Sequence, residues 1–202
     1  MSIISHYFTK DNDLLASNRR TIRFVIRGKL FEMETDKGVF SKAGLDYGTR
    51  VLLDNIELDS NVNVLDLGCG YGPIGIVIAR LFSVNVVMSD INNRAVQLAM
   101  ENAKKNLVNL SVVQSDGFAN ITDLFNTILF NPPIRAGKQI IYGLFESAKN
   151  HLQPGGRLII VINKDQGAET ALVFLRTIYQ QVEVIAKKSG YYVICCQISL
   201  TV

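Results

Sequence analysis

Asn131-Pro132-Pro133-Ile134 is the stretch whose residue types could carry a reaction. Two prolines behind an apolar run fix the backbone, so the Asn131 amide oxygen and the Pro132 carbonyl point in set directions. Two such acceptors can grip both N–H groups of a planar amine, pyramidalise its nitrogen and aim the lone pair at a sulfonium methyl. The transfer is then an in-line displacement driven by positioning, with no strong base. Asn-Pro-Pro also occurs as a plain turn, so the motif needs a cofactor loop upstream. Gly70, Gly72 and Gly75 spell G-x-G-x-x-G, and Asp90 follows Gly70 at the spacing of a dinucleotide fingerprint. Asp66, in the order Asp66-x-Gly68-x-Gly70, argues for another ligand. A carboxylate there can hold the methionine ammonium of S-adenosylmethionine, directly or through water, and would repel a pyrophosphate. Glycines that only make a tight turn are the third reading.

The elements that must position these residues follow from the pattern. Val62, Val64, Leu65 and Leu67 read as a buried strand, the glycines as a loop, and Pro73 as the first residue of a helix ending near Phe82. Residues 85–89 read as a second strand ending in Asp90, an acid placed to accept from ribose hydroxyls, with Ile91 positioned to pack on an adenine. A helix is expected over 93–105. A third strand, 110–114, ends in Ser115-Asp116-Gly117-Phe118, where Asp116 could accept from the adenine amine or be an ordinary loop residue. A fourth strand, 127–130, runs into Asn131. A helix over 139–152 is stopped by Pro154-Gly155-Gly156. A strand over 158–162, a helix over 169–179 and two strands around Lys188-Ser189-Gly190 complete the pattern. The alternation predicts a doubly wound, seven-stranded, mostly parallel α/β sheet with an antiparallel final pair.

Ahead of this lies a small appendage. Residues 1–18 read as a loosely held arm, followed by strands over 20–27 and 30–36. With Gly28-Lys29 as a type II′ turn, Arg27 pairs with Leu30, Ile26 with Phe31, Phe24 with Met33 and Arg23 with Glu34. Ile22, Phe24, Ile26, Phe31 and Met33 then share one face, and Arg23, Arg27, Glu32 and Glu34 the other. Residues 1–40 are thus expected to form an N-terminal arm and β-hairpin, and 41–202 the main domain. Arg19, Arg20, Arg23, Arg27 and Lys29 concentrate positive charge on the appendage, either as a solvated face or as a phosphate-contacting edge for RNA.

At 202 residues and 48% apolar composition, the chain can bury one full core. A net charge of +3 permits a polyanionic partner without demanding one. Cys69, Cys195 and Cys196 fit neither a disulfide framework nor a metal site, and His6 and His151 have no metal-ligating neighbours in sequence, so no metal is expected. The start lacks a signal-peptide pattern, and no apolar run reaches membrane-spanning length. A cytoplasmic protein is the expectation.

Asp66-Leu67-Gly68-Cys69-Gly70, Asp90, Asp116 and Asn131-Pro132-Pro133-Ile134, in this order, resemble the class I S-adenosylmethionine-dependent methyltransferases acting on planar amino groups. More narrowly, Gly38-Val39-Phe40-Ser41, Leu45-Asp46-Tyr47-Gly48-Thr49 and the run from Asn131 to Lys138 resemble the small-subunit ribosomal RNA guanine-N2 methyltransferases. The resemblance implies that Phe40, Asp66, Gly68, Cys69, Gly70, Asp90, Ile91, Asp116, Gly117 and Asn131 bind S-adenosylmethionine. It implies that Asn131 and Pro132, with Pro133 and Ile134, hold a guanine N2 amine, and that the partner is ribosomal RNA or the small ribosomal subunit. Arg135 and Lys138 are placed to hold a phosphate near a flipped base. Two departures stand out: Ile134 replaces the usual aromatic that stacks on the base, and the extra N-terminal domain of larger members is absent. Stacking would then fall to Tyr7, Phe8, Tyr191 or Tyr192. The same motif serves adenine-N6 and glutamine-amide transfer, so those substrates remain rivals. A non-catalytic RNA-associated assembly factor and a nicotinamide-dependent oxidoreductase are the rivals of other classes.

Overall fold

In the computed structural model, which describes residues 17–37, 39 and 44–200, two antiparallel strands precede a seven-stranded sheet. The strands β1 (Arg20–Ile26) and β2 (Lys29–Thr35) pair as Ile26 with Lys29, Phe24 with Phe31, Arg23 with Glu32 and Ile22 with Met33. The turn is therefore Arg27-Gly28, not the expected Gly28-Lys29. Both residues have positive φ, 46° and 76°, as a type I′ turn requires. Tertiary contacts offset the cost of left-handed backbone at Arg27. Its guanidinium donates to the Ile56 carbonyl, pairs with Glu57 at 3.2 Å and lies 5.2 Å over the Phe82 ring. The two registers differ by an even number of positions, so the expected faces survive. Ile22, Phe24, Ile26, Phe31 and Met33 are all buried.

The large sheet is built from β3 (Asn63–Leu67), β4 (Asn85–Asp90), β5 (Ser111–Gln114), β6 (Phe125–Phe130), β7 (Leu152–Asn163), β8 (Gln181–Lys188) and β9 (Tyr191–Gln197). Its order is β5-β4-β3-β6-β7-β9-β8, with β9 antiparallel to both neighbours and the β3–β7 pairs parallel. The doubly wound reading thus holds, antiparallel end included. Helices α1 (Tyr47–Asn55), α2 (Pro73–Leu81) and α3 (Asn93–Lys105) cover one face, and α4 (Lys138–Ala148) and α5 (Ala168–Ile178) the other. Along β3, Val64 joins the first core and Leu65 and Leu67 the second, the alternation of a strand buried on both faces.

The hairpin's apolar face belongs to the same core as α1, α2 and α3. Asn102, fully buried on α3, ties it in. Its Nδ2 donates to the carbonyls of Glu34 at 2.8 Å and Tyr71 at 2.9 Å, and its Oδ1 accepts from the Glu34 N–H at 2.7 Å. One boundary differs from expectation. α4 ends at Ala148, a 3₁₀ turn covers Lys149–His151, and Pro154-Gly155-Gly156 forms the irregular start of β7 rather than a helix stop. The Gly155 N–H donates to Ser199 and the Ile198 N–H to Gly156, so the distant end of the chain holds this segment extended. Among the described residues no helix is long and apolar enough to cross a membrane.

Candidate active site

Going outward from β3, the chain order runs one way through β4 and β5 and the other through β6 and β7. The crevice outside the strand ends at such a reversal is where doubly wound sheets bind ligands. Here it is a cavity of about 320 Å³, within the usual size of a small-molecule site. Its wall brings together Gly68, Cys69, Gly70, Asp90, Ile91, Asp116, Gly117, Asn131, Pro132 and Pro133. Ten of the residues expected from the sequence thus share one wall, whereas Asp66, Ile134 and the expected RNA-contacting cations are not part of it. Phe40, with Gly38, Ser41, Tyr7 and Phe8, lies outside the described residues.

Local structure explains the arrangement. Gly70 adopts a φ of 58°, which turns the loop so that its N–H donates to Asp90 Oδ2 at 2.8 Å. Asp90 Oδ1 accepts from the Asn92 N–H at 2.9 Å and the carboxylate also accepts from the Ile91 N–H, so the acid at the end of β4 is fixed by backbone donors. A Cβ on Gly75 would stand 2.5 Å from the Met88 side chain; the bare glycine is what lets α2 seat against β4. Pro73 opens α2, as expected.

Asp66 is fully buried beneath the loop rather than in the cavity wall. Its Oδ2 accepts from the Gly75 N–H at 2.8 Å, and its Oδ1 has no partner among the described residues. Burial pushes its carboxyl up to about 7, opposed by the Gly75 hydrogen bond and reinforced by the nearby Asp90. Burial also raises Asp90 and, strongly, the Cys69 thiol. The buried Ser89 hydroxyl in the cavity wall likewise lacks a partner. Asp90 in the wall and Asp66 beneath it put acids short of positive charge at the cavity, which suits a cationic ligand and would repel a pyrophosphate. These residues fit S-adenosylmethionine.

Asn131 is held from a direction the sequence did not indicate. Its Nδ2 donates to Asp46 Oδ2 at 3.0 Å and to Thr49 Oγ1 at 2.9 Å. Asp46 is the N-cap of α1, its Oδ2 also accepting from the Thr49 N–H at 2.8 Å. The cap is visible in Asp46-Tyr47-Gly48-Thr49, but its partner lies 85 positions away and no local signal links them. Val39 and Thr49, named above only as members of resemblance motifs, line the cavity, as do Ile140 and Leu144, which sequence reasoning did not single out. Ile134 opens a 3₁₀ turn, is half-buried against the α4–α5 core and is not in the wall. Arg135 and Lys138 are exposed just beyond the motif, with Lys138 Nζ 5.0 Å from the Tyr142 ring centre.

The hairpin cations lie elsewhere. Arg19 pairs with Glu101 at 2.6 Å, and Arg23 pairs with Glu32. Lys29 donates to the Arg80 carbonyl near the end of α2, and Arg27 reaches Ile56, the residue just past the end of α1. Both helices start at the cavity, so the hairpin turn sits a helix length from it, about 13 Å for nine residues. Arg20 is exposed at the hairpin's other end.

A family model described as the methyltransferase small domain matches residues 31–195. The chain belongs to that family. It is an S-adenosyl-L-methionine-dependent methyltransferase, as the acids and glycine loop had led one to expect. This methyltransferase is 42% identical over 196 residues to the uncharacterized protein YbxB of Bacillus subtilis, covering 95% of its own length and 98% of the relative's. It is 34% identical over 171 residues to the ribosomal RNA small subunit methyltransferase C of Pseudoalteromonas atlantica, covering 79% of its own length and 47% of that protein's. Among solved structures, the Thermus thermophilus 16S rRNA N2 G1207 methyltransferase, in complex with AdoMet and guanosine, shares the fold. The TM-score is 0.82 at 24% identity, over 91% of this chain and 52% of that one. The chain thus spans about half the length of these two ribosomal RNA enzymes.

Proposed function

We propose that this methyltransferase acts on the exocyclic N2 amine of a guanine in small-subunit ribosomal RNA. The observation that carries the reading is the hydrogen bonding of Asn131: this residue lines the cavity, and with both amide hydrogens committed to Asp46 and Thr49 its Oδ1 is the group left to accept. An acceptor held there suits a donor N–H on the substrate. Relatives named ribosomal RNA small subunit methyltransferase C support the choice of RNA.

S-adenosyl-L-methionine, when bound, supplies a methyl group activated by its sulfonium. Asp90 would face its ribose, Asp66 would act on its positive charge from beneath the loop without forming the cavity wall, Gly68, Cys69 and Gly70 would lie along its backbone-facing side, and Ile91, Asp116 and Gly117 would hold its adenine. Asn131 Oδ1 and the Pro132 carbonyl accept the two N–H groups of the guanine amine. That grip draws its nitrogen lone pair out of conjugation and orients it, which is the main work in a displacement limited by geometry. The extra proton leaves to water after nitrogen has gained its fourth bond, so no side-chain base is needed. Pro133 packs beside the base, while Ile134 shapes the turn from behind. Arg135 and Lys138, both exposed just past the motif, would meet RNA phosphates.

The test is incubation with labelled S-adenosyl-L-methionine and unmodified small-subunit RNA, both naked and protein-bound, followed by nucleoside mass spectrometry. N2-methylguanosine is expected. Label in N6-methyladenosine, or in a protein glutamine with none in RNA, overturns the reading.

A further inference from the structure

An asparagine amide can sit two ways in a site, and the two differ in what they recognise. With the oxygen inward it takes an amine; with the nitrogen inward it takes a carbonyl or ring nitrogen. The residue by itself does not choose. We infer that Asp46 makes the choice here and Thr49 secures it: both are positioning residues that lock Asn131 with its acceptor toward the substrate, and so set the site for an N–H donor. The inference rests on the reading of Asn131 given above.

The chemistry of the partners leaves one orientation. The Asp46 carboxylate has only lone pairs to offer, and the Oδ2 that receives Asn131 Nδ2 at 3.0 Å is already an acceptor for the Thr49 N–H. Turning the amide over would set Asn131 Oδ1 against that carboxylate oxygen, a like-charged contact without a hydrogen between them. Thr49 Oγ1 takes the second amide hydrogen at 2.9 Å, so neither hydrogen is left to face the cavity. Both partners stand on the first turn of α1, and that turn is itself immobilised. Thr49 is 2% exposed, and Gly48 lies so near Tyr191 that a Cβ would come within 2.8 Å of its ring. Asp46 caps the helix with the same oxygen that orients Asn131, so one atom couples the start of α1 to the reacting end of β6.

The function is separable from folding by choice of variant. Thr49→Val keeps shape and burial while removing one acceptor; Thr49→Ser keeps the acceptor. Asp46→Asn keeps an oxygen able to cap α1. It also introduces an NH₂ group that can donate to a flipped Asn131. Two measurements are needed. First, the side-chain NH₂ resonances of Asn131, assigned by their disappearance in Asn131→Asp, report the lock without cofactor or substrate. In the wild type they are expected to be distinct and slow to exchange with solvent, in Thr49→Val to exchange at least tenfold faster, and in Thr49→Ser to return. Second, turnover on unmodified small-subunit RNA is expected to fall about tenfold in kcat for Thr49→Val, the effect of one orienting hydrogen bond. The Kd for S-adenosyl-L-methionine stays put, and Thr49→Ser recovers to within about twofold of wild type. Wild-type exchange in Thr49→Val, or a changed exchange with unchanged kcat, overturns the inference while leaving Asn131 its role. Full turnover by Asn131→Ala overturns that role instead.

Discussion

Replacing Asp66 by asparagine should flatten the dependence of stability on pH. The carboxyl is raised from its ordinary 3.8 to about 7 because it is fully buried, with a single backbone donor to offset the loss of water and the Asp90 charge nearby. A raised acid binds its proton more tightly in the folded chain than in the unfolded one. Its contribution to stability is therefore greatest at low pH and is lost as pH rises toward and through the folded value. Between pH 5 and pH 8 such a shift removes about 2–3 kcal/mol, integrating 1.36 kcal/mol per unit over the range where the two states differ in bound protons. Asp66→Asn keeps an oxygen for the Gly75 N–H but does not titrate. Urea melts of both proteins at pH 5, 6, 7 and 8 should show the wild type losing roughly that much more than the variant. S-adenosyl-L-methionine is expected to oppose the trend, because a positive charge held above the loop favours the ionised form of the acid beneath it. The thermal shift it confers on the wild type should grow from pH 5 to pH 8, and that on the variant should stay level. Parallel stability curves for the two proteins would refute the reasoning, for then Asp66 would be ionised throughout and its orphan oxygen solvated.

Asn131→Ala should abolish turnover on RNA while cofactor affinity by calorimetry changes less than about threefold, since a donor–acceptor group is lost at the amine and not along the cofactor. Asn102→Leu should cost about 2–4 kcal/mol in a urea melt, because two carbonyls and one N–H around it lose their partner together in a buried setting. Arg23→Glu combined with Arg27→Glu should lower the melting temperature by a few degrees yet leave RNA affinity and its salt slope within about twofold, since the turn lies a helix length from the cavity. A large loss of affinity would make the hairpin an RNA edge after all. Arg135→Glu with Lys138→Glu should instead weaken RNA binding about tenfold at low salt and reduce the salt slope.

Where an element is made by its own stretch of chain, the sequence was readable. The glycine loop, Pro73 at the head of α2 and the acids at the strand ends are local consequences of neighbouring residues, and each stands where the pattern put it. The hairpin faces were legible from alternation, but its turn was not. Gly28 alone suggested one two-residue turn, while contacts from Ile56, Glu57 and Phe82 to Arg27 decided for the other. Pro154-Gly155-Gly156 carries the composition of a helix stop, yet Ser199 and Ile198 draft it into a strand. Asp46 entered the sequence reading only within the Leu45–Thr49 run that carries the resemblance, because its bond to Asn131 closes a loop of 85 residues. What the sequence withheld is in each case a contact made by the fold.

Asn102 binds the hairpin strand and the glycine loop with one side chain, so neither can open without stranding polar groups of the other. Local unfolding should then treat them as a single cooperative unit, in which the Glu34 amide and the loop amides exchange with deuterium at matched rates. A cofactor that quiets the loop would slow the hairpin with it, through a strand it never touches. Deuterium uptake at the Glu34 amide should then fall when the cofactor binds, and uptake unchanged by the cofactor would separate the two segments.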